Sequence, residues 1–140
     1  MNALELLKKH EGFRDDYYYD SLGNLTVGWG HLVPKPSMSQ LESWFGEDYS
    51  QVLHDARAVV GEAVFQLLAA PRKAVLINMA FNLGLSRLTS FKRMRHALID
   101  GDWSTAADEM LHSRWASQVG NRAIELAQIM RSGAWPDDLE

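Results

Sequence analysis

Residues 71–83, PRKAVLINMAFNL, constrain the chain more than any other stretch. Ala74, Val75, Leu76, Ile77, Met79, Ala80, Phe81 and Leu83 cover nearly every side of a helix drawn through them. Pro71 suits its first turn, and Gly84 suits the position just past its end. A helix that is apolar all round is buried. The core is therefore expected in the C-terminal half, with other helices laid against this one.

Helical spacing continues on both sides of it. Asn2, with Glu5 three residues on, reads as a capping box for a helix over 2–12 that Gly12 ends. Leu4, Leu7 and Glu11 fall on one face of that helix, which puts a carboxyl group on the apolar, poorly hydrated side. Ser37-Met38-Ser39-Gln40 starts a short helix through Phe45, halted by Gly46. Residues 47–60 carry Tyr49, Val52, Leu53, Ala56, Val59 and Val60 at helical spacing up to Gly61, and are suited to bridge two lobes. A further helical run at 62–69 stops before Pro71. Beyond the central helix, Thr89 or Ser90 caps 91–100 with Gly101 as stop, and Asp102 caps 103–112. A short helical turn spans 113–119, Asn121 caps 122–132 and Gly133 stops it. The acidic residues after Trp135 read as a frayed end.

The period changes between Phe13 and Val33. Tyr17-Tyr18-Tyr19, a turn at Asp20-Ser21-Leu22-Gly23-Asn24, then Leu25-Thr26-Val27 and the Gly28/Gly30 pair around Trp29 read as a small antiparallel sheet, closed by Pro34 and Pro36. So small a sheet needs helices packed on it. The expected fold class is α+β, mainly α. Two lobes are expected in a single domain over 1–140: an N-terminal lobe at about 13–60, and a C-terminal lobe at about 61–140 on which helix 2–12 packs.

At 140 residues the chain is long enough to bury about two thirds of its unfolded surface, and a second independent module is not expected. It has no cysteine, so catalysis would fall to carboxylates, hydroxyls or histidines. No stretch approaches the roughly 18 apolar residues of a membrane span, and the first ten residues, with Glu5, Lys8 and Lys9, lack the pattern of a secretory leader. A cytoplasmic protein without stable membrane association is expected. Residues 1–70 hold five Lys/Arg against ten Asp/Glu, and residues 71–131 hold nine against five. The basic half suits an anionic polymer or is simply a solvated helical surface. The net charge of −4 and the scatter of the basic residues argue against nucleic acid. His10, His54, His96 and His112 show no metal-ligand spacing, and no metal or cofactor is expected.

Glycosidic cleavage needs two carboxyl groups. One is protonated and donates to the leaving oxygen; the other is ionised and activates water or attacks the sugar carbon. Glu11 on an apolar helix face suits the first role, and Asp20 in a polar turn suits the second. Thr26 offers a hydroxyl beside Asp20 to orient the water. Spacing alone leaves open two solvated surface groups.

The whole string is more specific. It runs NALELLKKHEGFR, then Tyr-x-Asp at 18–20, Gly23, Thr26-Val27-Gly28-x-Gly30-His31-Leu32 and Lys73-Ala74-x-Leu76-Ile77-Asn78-Met79-x-Phe81-Asn82-x-Gly84. It resumes at Ser90-Phe91, Trp103, Ala106-Ala107, Ser113-Arg114-Trp115, Asn121-Arg122-Ala123 and Gly133-x-Trp135. These motifs resemble the lysozyme family typified by the T-even phages, a class of phage endolysins, over nearly the whole chain. The resemblance implies a two-lobed, lysozyme-like fold with Glu11 as general acid, Asp20 as general base or charge stabiliser, and Thr26 positioning the attacking water. It implies a monomeric peptidoglycan hydrolase cutting the β-1,4 bond between N-acetylmuramic acid and N-acetylglucosamine, with the substrate between the lobes. Release from the host cytoplasm by a pore former follows, as does inversion at the sugar carbon, which needs carboxyls about 6.5–9.5 Å apart.

Leu32 and Phe81 match family positions that line the substrate cleft, with a core role as the alternative for each. Two further cleft positions fall on Met94 and Glu109, where the residue types depart from the family pattern. His31 reads as a supporting residue behind the catalytic groups; its acidic partner in the family falls near Leu53 here, with Asp55 close by. Lys92, Arg93, Arg95, Arg114 and Arg122 face either the cleft and cell wall or solvent. The rival class is a non-catalytic glycan-binding module on the same fold, which would have no need of the Glu11/Asp20/Thr26 set.

Overall fold

The computed structural model describes residues 1–139 and divides into two compact units, Met1–Ser43 and Trp44–Glu140. The first unit opens with α1 (Ala3–Glu11). Asn2 Oδ1 accepts from the Glu5 amide at 2.9 Å and Glu5 Oε2 accepts from the Asn2 amide at 3.1 Å, so the expected capping box is formed. Gly12 ends the helix at φ 71°, a conformation open to glycine at little cost. Strands β1 (Arg14–Tyr19), β2 (Leu25–Gly28) and β3 (His31–Leu32) follow as an antiparallel sheet in sequential order. Tyr19 pairs with Leu25, Tyr18 with Thr26, Val27 with His31 and Thr26 with Leu32, and the β1–β2 ladder is irregular between Arg14 and Tyr18.

Within its own unit the apolar face of the first helix is uncovered. No residue of α1 is buried, and Leu4, Leu7 and Glu11 are all exposed. Two leucines make a narrow stripe, and the sheet of the same unit meets α1 at its C-terminal end, through Trp29 and Gly30, rather than along that stripe.

A single helix, α2 (Met38–Val60), replaces the two expected around Gly46. Ser37 caps it, its Oγ accepting from the Gln40 amide at 3.1 Å. An interior glycine costs a helix only about 1 kcal/mol relative to alanine, which helical neighbours on both sides outweigh. In the second unit come α3 (Glu62–Leu67), α4 (Ala70–Leu83), α5 (Leu85–Thr89), α6 (Lys92–Asp100), α7 (Trp103–Leu111), α8 (Arg114–Val119) and α9 (Asn121–Ser132). Asp102 and Ser113 cap α7 and α8 as side-chain acceptors. Helix α5 was not expected: Gly84 ends α4 at φ 79° and the chain re-enters a helix at once. Thr89 and Ser90 donate to the carbonyls of Ser86 and Arg87 instead of capping α6, whose cap position is Phe91. Asn121 lies inside α9, which turns from Gly120 at φ 58°. Residues Asp137–Leu139 form a 3-10 turn where fraying was expected, and Glu140 lies outside the described residues.

Helix α4 is central, as its composition requires. Val75, Leu76 and Met79 are fully buried, among Met94 and Leu98 of α6, Ala106, Ala107 and Met110 of α7, and Ala127 and Met130 of α9. The small residues of α7 and α9 let those helices approach closely, because the distance between helix axes depends on the side chains at the contact. Cover is not complete: Ile77 and Asn78 are half-buried and Phe81 is exposed, so one flank of α4 is open.

Arg72 ties three of these helices together. Its Nε donates to Met130 O at 2.8 Å and an Nη to Arg131 O at 3.1 Å, satisfying carbonyls at the end of α9. Its guanidinium lies 4.1 Å from the Trp103 ring centroid, and Gly133 leaves it room where a Cβ would stand only 2.6 Å from an Nη. Arg72→Ala should lower the unfolding free energy by about 1–3 kcal/mol, with Arg72→Lys recovering only part because a lysine has no planar fork. Urea denaturation measures it; a loss under about 0.5 kcal/mol, ordinary for a surface change, would deny the cap its weight.

Candidate active site

The β1–β2 hairpin is closed by one carboxylate. Asp20 Oδ1 accepts from the Leu22 amide at 2.9 Å and the Asn24 amide at 2.8 Å. The main chain of Asp20 adds two more bonds, donating to Asn24 O at 2.9 Å and accepting from Gly23 N at 3.0 Å. This is the behaviour that makes Asp a turn residue. The donors favour the ionised form, and the Asn24 amide, with that of Leu22 and the Asn24 side chain, holds Asp20 below its ordinary carboxylate value. Oδ2 has a single long contact, to Asn24 Nδ2 at 3.4 Å. It is the freer of the two oxygens.

Thr26 sits two residues beyond the turn, on β2, and is 2% exposed. Its Oγ1 donates to Asn24 O at 2.8 Å. With its proton committed there, the hydroxyl can meet another group only as an acceptor. The sequence offered no sign of this bond, since its partner is a main-chain carbonyl.

Glu11 is the last residue of α1, and its carboxyl group lies against the β2–β3 turn of the same unit. A Cβ built on Gly30 would stand 2.9 Å from Glu11 Oε2, so the carboxyl rests on bare glycine backbone. His31 and Leu32 follow on β3, both exposed, Leu32 at 56%. Asp55, the acidic residue weighed as a partner for His31, accepts from Gln51 Nε2 at 3.0 Å within α2. The first unit thus brings Glu11 to Gly30, and Asp20 and Thr26 to Asn24.

In the second unit the open flank of α4 forms a groove of about 340 Å³ lined by Phe45, Tyr49, Ala74, Ile77, Asn78, Phe81 and Arg122. Phe81 is 48% exposed and pairs with Phe45 at 5.9 Å between ring centroids, so it lines a surface rather than the core. Arg122 is held by Asn78 Oδ1 at 2.9 Å. Of these lining residues, Phe45 falls at the end of the short helix expected up to Gly46 and Tyr49 among the apolar positions of 47–60, so neither pattern marks a groove, whereas Asn78 and Arg122 belong to the family motifs. A separate pocket of about 480 Å³ contains Met94 and Glu109 together with Lys92, Arg93 and His112. Among the described residues no three His, Asp or Glu side chains gather as a metal site, and no helix is long and apolar enough to cross a membrane.

Comparison with known proteins decides the family. The model of the family described as "Phage lysozyme" matches residues 8–132. The chain belongs to the phage lysozyme family. It is similar to a probable T4-type lysozyme 2 of Dictyostelium discoideum, 26% identical over 92% of this chain and 93% of that protein. An endolysin of Acyrthosiphon pisum secondary endosymbiont phage 1 is 26% identical over 86% of this chain and 82% of its own length. The pre-baseplate central spike protein Gp5 of Enterobacteria phage T4 is 27% identical over 95% of this chain, which matches 28% of that longer protein. This member of the phage lysozyme family is a glycoside hydrolase.

The hairpin makes a prediction about the titration of this lysozyme. Because the folded state depresses the proton affinity of Asp20, its carboxyl carbon should titrate, in an NMR series, below the usual aspartate range. The sign follows from linkage: the stabilisation by the ionised turn is present above the unfolded pKa and is lost as pH falls through the folded one. A titration at or above the ordinary aspartate value would contradict the hydrogen-bonded turn.

Proposed function

We propose that the chain hydrolyses the β-1,4 bond between N-acetylmuramic acid and N-acetylglucosamine of bacterial peptidoglycan, inverting the anomeric carbon, in host cell lysis. The observation that carries this reading is the pairing of an ionised Asp20 having one freer oxygen with a Thr26 hydroxyl that can only accept. A water between two acceptors donates one hydrogen to Asp20 Oδ2 and the other to Thr26 Oγ1, which leaves its lone pair for the sugar carbon. Glu11 donates its proton to the leaving oxygen from the opposite face of the sugar.

A carboxylate with depressed proton affinity is a weak base. Proton transfer to Asp20 therefore lags behind bond formation, and its first contribution is negative charge facing the oxocarbenium-like centre. Leu32 and Phe81, both exposed, supply apolar contacts to the glycan. His31 supports the turn that carries Gly30 and Leu32. No cofactor takes part. The protein acts as a monomer, associates stably with neither membrane nor nucleic acid, and accumulates in the host cytoplasm until a pore former admits it to the peptidoglycan.

Clearing of a peptidoglycan suspension tests the reading. Wild type should clear it, and Glu11→Gln should be slower by about 10²–10⁴-fold, the usual weight of a positioned acid. A glycan-binding module would instead sediment with the wall and clear nothing, and equal clearing by wild type and Glu11→Gln would sink the acid assignment. Thr26→Val should slow turnover more than Thr26→Ser, which keeps an acceptor. NMR of the first-formed hemiacetal should show inverted configuration; retention would replace the water mechanism.

A further inference from the structure

Trp29 lies at the tip of the β2–β3 turn, between two glycines with φ 69° and 71°, and is 47% exposed. Its ring packs on Phe13 at 4.7 Å between centroids, tilted by 44°, and carries the Lys8 ammonium at 4.5 Å. Lys8 belongs to the last turn of α1 and Phe13 follows Gly12, where the helix stops. The indole therefore bridges the helix end and the segment leading into β1. The next residue, Gly30, receives the Glu11 carboxyl, with 2.9 Å between Oε2 and the place a Cβ would take.

A half-exposed tryptophan at a turn tip adds little to a core, and within the first unit no apolar cover holds α1. What the Trp29 contacts do fix is the direction and register of the helix end that carries Glu11. The glycine then sets how near the carboxyl can come to the turn. General-acid transfer needs heavy atoms about 2.6–3.2 Å apart, and a displacement near 1 Å can cost about a hundredfold in rate.

The geometry points to Trp29 and Gly30 as positioning residues for the general acid: the indole clamps the C-terminal end of α1 through Lys8 and Phe13, and Gly30 seats the Glu11 carboxyl. The inference rests on the proposed role of Glu11. Both act through Glu11 and not on the sugar, so their effect belongs in turnover and not in substrate affinity.

Four variants, Trp29→Leu, Trp29→Phe, Gly30→Ala and Glu11→Gln, measured for kcat, KM and Tm on soluble peptidoglycan oligosaccharides, test this. Trp29→Leu should lose on the order of ten- to hundredfold in kcat with KM within roughly twofold and Tm close to wild type. Trp29→Phe, which keeps a ring for Phe13 and Lys8, should recover most of the loss, and Gly30→Ala should fall in kcat with the seat filled. A Trp29→Leu enzyme with raised KM and unchanged kcat would overturn the inference and make Trp29 a sugar-stacking residue. So would unchanged kinetics in Trp29→Leu, or a loss that tracks Tm and is not recovered by phenylalanine. Glu11→Gln separates the two levels: wild-type turnover there removes the acid assignment itself, whereas an inactive Glu11→Gln beside a fully active Trp29→Leu removes only the clamp.

Discussion

The first unit depends on the bonds that Asp20 accepts. Two amides converge on Oδ1, at 2.9 and 2.8 Å, and they close the turn that sets β1 against β2. That closure fixes where Asn24 O lies, and Asn24 O in turn accepts the hydrogen bond from the Thr26 hydroxyl. The same carboxylate is the ionised member of the proposed site, so structure and chemistry share one side chain. The sharing is compatible because the two oxygens divide the work: Oδ1 is spent on the backbone and Oδ2 keeps only a 3.4 Å contact. It also means that Asp20→Asn is a poor probe of catalysis. An asparagine supplies one carbonyl acceptor and an NH2, and it reshapes the turn as it removes the charge.

Much of this was legible in the sequence, where local chemistry decides local structure. The capping box at Asn2 and Glu5, the turn at Asp20, the caps Ser37 and Asp102, and the glycine stops at 12, 61, 84, 101 and 133 require no distant partner, and each formed. Two caps failed on local chemistry, Thr89 and Ser90 bonding back to Ser86 and Arg87 and Asn121 lying inside α9, whereas the other readings that failed needed tertiary information. Gly46 stops a helix only when its neighbours let it, and here α2 runs through it. Leu4, Leu7 and Glu11 share a face, and nothing within the first unit covers it. Phe81 had two readings, cleft and core, and the open flank of α4 leaves it exposed in a groove. Of the site, the identities of Glu11, Asp20 and Thr26 came from one motif, whereas the acceptor of the Thr26 hydroxyl and the seat at Gly30 involve backbone atoms that no residue pattern displays.

The distribution of burial explains why the proposed catalytic groups are held as they are. Every buried hydrophobic residue described lies between Ala56 and Met130, and in the first unit Thr26 is the one buried residue among those described. Apolar burial is strong but not directional; it can secure α4 in the second unit without setting a side chain to a fraction of an ångström. The first unit relies on directed interactions instead: the capping box, the Asp20 turn, the sheet ladder, and the Lys8–Trp29–Phe13 stack. None carries the fold alone, but each has a preferred geometry and so constrains an angle. A proton donor and a water-holding pair need that constraint more than they need depth, and a unit lacking a large core of its own can supply it through short local bonds.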